Sequence, residues 1–576
     1  MSDTPGHDGH GHDMTNPDVI ESRGDKPPFE LTPDQTTGHP PGLWVLFITE
    51  MWERFSYYGM RALFVLFLIG SVDKLVPIKS QSEELVANTN PGFGWGDGNA
   101  YSLYAVYTFM AYLTSILGGV VADRFLGTHR SMIVGGWIIA LGHICLACMA
   151  FFPFELGTPV SLDHGSGALM AFLLGCSLIV IGTGFFKPCV SVMVGQLYGE
   201  GDARRDSGFT IFYMGINLGA FFSPLVAGWL ASRVGWHWGF GSAAVGMLAG
   251  LACYQMLRPR YLKGIGLAPE VEVRQRSKGL VALMTVGVLA IPLLPLALFV
   301  FGGLDDILSG WAKLTASFGV WRMAGTITGL LLASCWVFLI LQKPAERSRL
   351  AVILILAFIG NIFFWTAFEQ AGSTLNVFAE RNTDRTIWGL LEDGFPAAFY
   401  QSVNPLAILI FAPIFSWLWL FLARRKKDPS TPMKFAIGLW LLGLGFLAMV
   451  FGALRARNGE LTGPHWLLIT YVVTTWGELC LSPVGLSMVT KLAPKRLQSL
   501  MMGLWFFSLA LSNLSAGLVA RYSVDFVSQD GEPAKKTFLI DGLPGFFLML
   551  VLFPIAAGVL IFVISPWIKK LMRGVH

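Results

Sequence analysis

Apolar runs of about 20 residues recur through this chain almost from end to end, and that is the length an α-helix needs to cross ~30 Å of hydrocarbon. Inside lipid each backbone N–H and C=O must find a partner within the protein, so such runs fold as helices. They are read at 43–70, 99–122, 131–153, 167–195, 208–231, 238–257, 279–302, 321–342, 350–378, 397–423, 433–454, 466–490, 499–521 and 544–568, fourteen in all. Only 14% of the 576 residues are charged, where soluble domains carry about 25%. The fold class is therefore an all-α integral membrane protein.

The connections divide by charge. One set holds Arg124 and Arg130, Arg204 and Arg205, Arg258 to Lys278, Lys343 to Arg349, Arg424 to Lys427, Lys491 to Arg496, and Lys569 to Arg573. The opposite set (71–98, 154–166, 303–320, 379–396, 455–465 and 522–543) is poorer in Lys and Arg. Positive charge is retained on the cytoplasmic side. The expectation is a multi-pass protein of the cell inner membrane with both termini in the cytoplasm, as an even number of spans requires.

Residues 1–42 are polar and lack an apolar signal core, so they are expected to be a disordered cytoplasmic tail. Its His7, His10 and His12 are a weak lead to a metal, and no metal site is assigned. All seven cysteines lie in apolar stretches and read as small buried hydrophobes; the Cys145–Cys148 pair has no partner pair. No P-loop motif occurs, so no nucleotide is expected to drive the protein. An ion gradient drives it, or it is passive.

The spans differ in polarity. Those at 279–302 and 321–342 carry almost no charge and follow a long basic segment, which reads as a pair inserted between two six-helix bundles. The domains are then the tail 1–42, an N-terminal bundle 43–257, a cytoplasmic linker with two extra helices 258–349, and a C-terminal bundle with a short tail 350–576.

The first span holds Glu50, Glu53, Arg54, Tyr57, Tyr58 and Arg61. At 100° per residue all but Tyr58 fall within about ±60° of one line, with Tyr58 at its margin. Each charge in a span costs at least ~2.5–3.5 kcal/mol, so four on one stripe require pairing and a hydrated cavity. The simpler alternative is an ion-pair cluster that only locks helices together. Further polar residues within apolar spans are Lys187 before Pro188, Tyr213 with Asn217 one turn on, Glu369 with Gln370, and Glu478 with Ser482 before Pro483. Arg54, Arg61 and Lys187 come from the first half, and Glu369 and Glu478 from the second. A basic wall facing an acidic wall suits a zwitterion, with its carboxylate towards the N-terminal bundle and its ammonium towards the C-terminal one.

Six stretches in order carry a resemblance: Glu50 to Gly59 as Glu-x-x-Glu-Arg-Phe-Ser-Tyr-Tyr-Gly; Gly118 to Gly127 around Asp123 and Arg124; Phe185-Phe186-Lys187-Pro188; Phe212 to Pro224; Phe368-Glu369-Gln370 with Gly372 to Leu375; and Glu478 to Pro483. Along residues 43–570 the chain resembles the proton-dependent oligopeptide transporter family of the major facilitator superfamily, bacterial type. The resemblance implies that superfamily's fold, two six-helix bundles plus an inserted pair of helices, and proton-coupled import of di- and tripeptides by alternating access. It implies that Arg54 and Lys187 hold the peptide carboxylate, and that Glu478, Asn217 and Asn404 hold its amino end. Tyr58, Arg61, Tyr112, Tyr213, Trp365, Phe368, Ser482 and Trp505 form the pocket. Glu50, Glu53 and Glu369 are the proton-coupling acids, and Asp123 and Arg124 belong to the cytoplasmic gate motif. Animal relatives place a histidine on the second helix; 99–122 has none, which leaves proton handling to carboxylates.

The expected partners are short peptides, protons and the bilayer, with no nucleic acid and no cofactor. A same-fold symporter for another zwitterion or anion (a peptide-like drug, nitrate or a modified amino acid) is the alternative. A membrane-embedded enzyme or receptor would need a nucleophile–base or metal-ligand set, and the spans hold one histidine, His143, without clustered ligands.

Overall fold

Four charged residues interrupt the first apolar run, yet it forms an unbroken helix of 28 residues, α1 (Gly42–Ile69). The computed structural model of the chain describes residues 38–572 apart from 78–84, 153–154, 162–165, 200–201, 203, 301–309, 311–319, 387–390, 392–393, 458, 495–496 and 528–536. Twelve helices among the described residues are long and apolar enough to cross a membrane. With α1 and a helix at Val320–Ile340, they match the fourteen spans expected, and the protein is a multi-pass membrane protein.

The first half comprises α1, α2 (Asp97–Val121), α3 (Thr128–Ala147), α4 (Gly167–Gln196), α5 (Arg205–Arg233) and α6 (Trp236–Tyr261). Here α1 packs on α5 and α6, and α4 on α2 and α3. The inserted pair is α7 (Val271–Val300) and α8 (Val320–Ile340). The second half begins with a segmented span: α9 (Pro344–Ile355), a π-helical turn Leu356–Asn361, α10 (Ile362–Phe368), a 3-10 turn Glu369–Gly372, and α11 (Thr374–Arg381). It continues with α12 (Val403–Arg424), α13 (Thr431–Ala456), α14 (His465–Leu492), α15 (Gln498–Ser523) and α16 (Leu543–Leu571). Within it, α13 packs on α14 and α16. The halves meet where α2 lies along α15 and α5 along α12.

Without a hydrophobic force between helices in lipid, close approach needs small residues. Where α3 crosses α4, a Cβ on Gly135 would come within 2.6 Å of the Gly182 carbonyl, and one on Gly142 within 2.7 Å of the Gly175 carbonyl. The second half repeats the device: a Cβ on Gly438 of α13 would lie 2.8 Å from the Gly477 carbonyl of α14.

The structure adds detail to the sequence reading, or departs from it, in four places. The span read at 350–378 is a chain of short helices broken at the 3-10 turn Glu369–Gly372, and the Gln370 side chain ties that turn to its neighbours: its Nε2 donates to Thr366 O at 3.1 Å and Ala516 O at 2.9 Å. Helix α7 begins at Val271, in the basic segment, while its membrane-crossing stretch Ser277–Leu298 agrees with the span read at 279–302; Arg and Lys are good helix formers with apolar stems, so the helix outruns its apolar stretch. Two short hairpins, Leu75–Pro77 with Leu85–Ala87 and Thr537–Phe538 with Ile540–Asp541, fall in connections read as loops. Finally, of the tail read as disordered over 1–42, residues 1–37 and their histidines lie outside the described residues, but 38–41 are seated. His39 is buried against Tyr198 Oη at 3.0 Å, and Arg204 donates to Gly38 O at 2.8 Å.

The α7 side chains Val281 and Val288 are buried, at 7% and 0% exposure, because the helix lies on α2 and α4. Leu283 and Val286 on its other face are exposed, as are Leu332 and Trp336 of α8. The pair is a peripheral addition with a lipid-facing side.

Candidate functional site

The α1 stripe is buried and internally paired. Arg54 Nε donates to Glu50 Oε1 at 2.7 Å and lies 2.9 Å from Glu53 Oε2. Those two contacts differ in kind: Glu53, 1% exposed, has no hydrogen bond on either carboxyl oxygen. Two turns on, Arg61 crosses between the halves. Its Nη2 pairs with Glu369 Oε2 and its Nε donates to Tyr104 Oη at 2.6 Å.

Glu369 is presented there by the break in its span. The 3-10 turn ends at Ser373, whose φ of −126° and ψ of −98° end the helical path. Gln370 anchors the turn from behind, accepting from Thr374 Oγ1 at 2.9 Å. Gly372 lies directly under the Tyr104 hydroxyl, so the turn, the phenol and the Arg61–Glu369 pair form one packed unit.

Lys187 projects from α4 just before Pro188, which breaks the helix's hydrogen-bond ladder. Among the described residues it pairs with no carboxylate; its Nζ sits over the Tyr112 ring, 3.7 Å from the centroid, with the Tyr57 ring at 6.0 Å. It remains within electrostatic reach of Arg54, Glu53, Glu50 and Glu369. On the other side, Asn404 of α12 donates to Glu478 Oε2 and to Thr475 Oγ1, both at 2.9 Å. Tyr58 lies within reach of Arg54, Arg61, Glu369 and Glu478 alike, and Tyr213 feels both Glu478 and Tyr58. The basic groups of the first half and the acids of the second thus share one neighbourhood at the junction of the halves.

The remaining candidates are placed as follows. Asn217 uses its Nδ2 on the Tyr213 carbonyl at 2.9 Å. Trp365 and Phe368 form an edge-to-face pair at 5.0 Å, with Phe364 stacked behind at 5.6 Å. Ser482 has a buried hydroxyl that finds no hydrogen-bond partner among the described residues. Trp505 is 3% exposed and packs against Gly485 and Phe435. Asp123 and Arg124 are exposed on the π-helical turn Ala122–Leu126. The turn is held by Gly127 (φ 79°) and by His129 N donating to Gly266 O at 3.0 Å.

Sequence reasoning missed Tyr104 and Thr475, since a single Tyr or Thr in a span reads as packing. It also missed the clasp at the end of the molecule farthest from Gly42. There Arg381 makes a two-pronged pair with Asp97 at 2.8 and 2.9 Å, and Arg521 Nη1 donates to Ser102 at 2.8 Å. Ser402 donates to Phe221 O and Asn376 to Ala62 O, at 2.7 and 2.9 Å. Each of these joins the two halves between mid-membrane and the far end.

The family model described as POT family (PTR2) matches residues 129–538. The chain is 36% identical over 544 residues to the peptide transporter YePEPT of Yersinia enterocolitica, covering 93% of this chain and 96% of that protein. It is 34% identical over 544 residues to the di-/tripeptide transporter of Lactococcus lactis, covering 94% and 98%. Among solved structures it is similar to a peptide transporter POT in complex with alafosfalin, at 33% identity and a TM-score of 0.72 over 94% of this chain and 98% of that one. It is similar also to a POT family transporter in complex with 5-aminolevulinic acid, at 31% identity and a TM-score of 0.73 over 93% and 98%. With the fold, the motif order and these relatives in agreement, this chain belongs to the POT family of membrane transporters.

Proposed function

We propose that the protein is a symporter of the bacterial inner membrane that takes up di- and tripeptides with protons by alternating access, with both termini cytoplasmic and no cofactor. The observation that carries this reading is the shared neighbourhood of Arg54 and Lys187 from one half with Glu478 from the other. A free peptide is a zwitterion, and its carboxylate matches the two cations while its ammonium matches Glu478 and the Asn404 and Asn217 amides. Tyr58, Tyr112 and Tyr213 supply polar-tipped aromatic surface to the peptide backbone, and Trp365 and Phe368 supply apolar surface to its side chains.

Coupling follows from exchange of partners. Protonation of Glu369 and of the Glu50–Glu53 pair weakens their salt bridges to Arg61 and Arg54 and loosens the far-end closure, which admits peptide from outside. The peptide carboxylate then competes with Glu50 and Glu53 for Arg54 and engages Lys187, which among the described residues pairs with no carboxylate. Closure of the far end returns Glu369 to Arg61 and discharges its proton inward. Asp123 and Arg124 act at the cytoplasmic side of this cycle. One proton moving inward supplies ~2.3 kcal/mol per 100 mV, enough for more than tenfold accumulation of peptide.

The test is uptake of labelled dialanine into vesicles reconstituted with purified protein, with and without an inward proton gradient. Accumulation only with the gradient, competed by trialanine, supports the reading; peptide entry that ignores collapse of the gradient overturns it. The relatives' complexes with alafosfalin and 5-aminolevulinic acid favour a second substrate class on the same site. Competition by another zwitterion where dialanine and trialanine fail would assign the protein to that class.

A further inference from the structure

The short helix α10 (Ile362–Phe368) has only 7 residues, yet it carries Trp365 and Phe368, and the turn that follows it begins with Glu369. A helix about 10 Å long does not keep its shape or its place unaided. It is held from outside its own span.

Both of its ends are tied to α15. Beyond its C-terminal end, Gln370 donates to Ala516 O at 2.9 Å. At its N-terminal end Asn361, the last residue of the π-helical turn Leu356–Asn361, donates from Nδ2 to Ser508 Oγ at 2.9 Å. Ser508 gives its own proton to Trp505 O at 2.7 Å, so a hydroxyl lone pair is what Asn361 meets. Asn361 and Ser508 are both 0% exposed, and Asn361 Oδ1 finds no partner among the described residues. A leucine would fill the same volume without the penalty of burying an amide, and the best-attested use of such a buried polar group is to fix register.

The residue before Asn361 closes the arrangement. A Cβ on Gly360 would come within 2.6 Å of Phe435 on α13. Phe435 in turn meets the Trp505 ring edge-on at 6.2 Å, and a Cβ on Gly485 of α14 would overlap the same indole. The π-helical turn is thus gripped between α13 and α15, and short π-segments of this kind are frequent at functional sites.

We propose that Asn361 is a positioning residue for the coupling acid: through Ser508 it fixes α10 along α15 and so sets how Glu369 meets Arg61. This rests on the symport reading above. Glu369 pairs with Arg61 and faces Tyr57 and Tyr58 of α1, Tyr104 and Tyr112 of α2, Lys187 of α4 and Glu478 of α14. A charge-assisted hydrogen bond depends on distance and direction, so a slip or turn of α10 weakens the Arg61 pair before it alters the longer-range contacts.

The test is dialanine uptake into vesicles reconstituted with the full-length protein, measured across external pH at a fixed membrane potential, beside counterflow and melting temperature. In Asn361→Leu, which keeps the volume but not the amide, half-maximal uptake is expected about one pH unit higher, because Arg61, held less well, competes less with the proton for Glu369. Counterflow stays near the parent rate. Ser508→Ala gives the same shift, the two together shift no further than either alone, and Ser508→Thr, which keeps the hydroxyl, retains the parent profile. If Asn361→Leu does not assemble, Ser508→Ala, which removes a single oxygen, carries the test against Ser508→Thr. A parent pH profile in Ser508→Ala, a lower melting temperature with an unmoved profile, or equal shifts in Ser508→Ala and Ser508→Thr reduces the pair to packing and overturns the positioning role while the symport reading stands. A parent protein whose uptake ignores the proton gradient overturns the symport reading and the positioning role with it.

Discussion

Glu50 and Glu53 lean on the same guanidinium, yet only Glu50 receives a hydrogen bond from it. Glu53 is then the acid whose charge can be removed without breaking a hydrogen bond. Glu53→Gln is expected to cut gradient-driven accumulation about tenfold or more, since the proton's ~2.3 kcal/mol per 100 mV no longer drives uptake. Counterflow, exchange of peptide without a gradient, stays near the parent rate. Parallel uptake and counterflow assays check this, and full accumulation by Glu53→Gln removes Glu53 from the coupling scheme. Arg54→Ala abolishes both modes and leaves two buried carboxylates without their cation, at a cost of about 3–5 kcal/mol, visible as a lower melting temperature. The stripe itself was legible in the sequence, because charges at helical spacing inside an apolar run are tolerated only where they pair or face water. Tyr104 and Thr475 were not, because their roles arise only when α1 meets α2 and α12 meets α14.

The span over 344–381 shows what hydropathy reports and what it leaves out. Apolar length located it, but the turn at Glu369–Gly372 depends on Gln370 reaching α15 and on Gly372 fitting beneath Tyr104, and neither contact has a local signature. Helix α7 runs past its apolar span for a related reason: hydropathy falls in the basic segment while helix propensity does not. Close fit gives a direct test. A methyl group in Gly372→Ala overlaps the Tyr104 hydroxyl and displaces it from Arg61, so uptake falls at least about tenfold, in the range of over-packing costs of ~1–3 kcal/mol. Adding Tyr104→Phe removes the oxygen and recovers part of that loss. If the double variant is no better than Gly372→Ala alone, the packing of this unit is not what limits transport.

The bonds between the halves at Asp97–Arg381, Ser102–Arg521 and Phe221–Ser402 all lie towards the far end, so the molecule is seen with that end clasped. Charge asymmetry in the loops carries the proposed orientation of the chain in the bilayer, but no pattern in one sequence pairs Asp97 with Arg381, which stand 284 positions apart. Their pair has partial solvent access, at 15% and 47% side-chain exposure, which places its contribution near the upper end for surface pairs, about 1 kcal/mol. An equilibrium displaced by that amount changes about fivefold. In a background with the native cysteines replaced, spin labels at Val234 and Leu454, exposed near the far ends of α5 and α13, report the separation there. Arg381→Ala is expected to raise the long-distance population by about that factor without changing the melting temperature appreciably, because the pair contributes to only one of two folded states. High salt shifts the parent protein in the same direction and leaves Arg381→Ala unmoved, since screening acts on an exposed pair. Equal distance distributions in parent and variant, with equal salt response, would leave the closure to α2 packing along α15 and remove the ion pair from the gate.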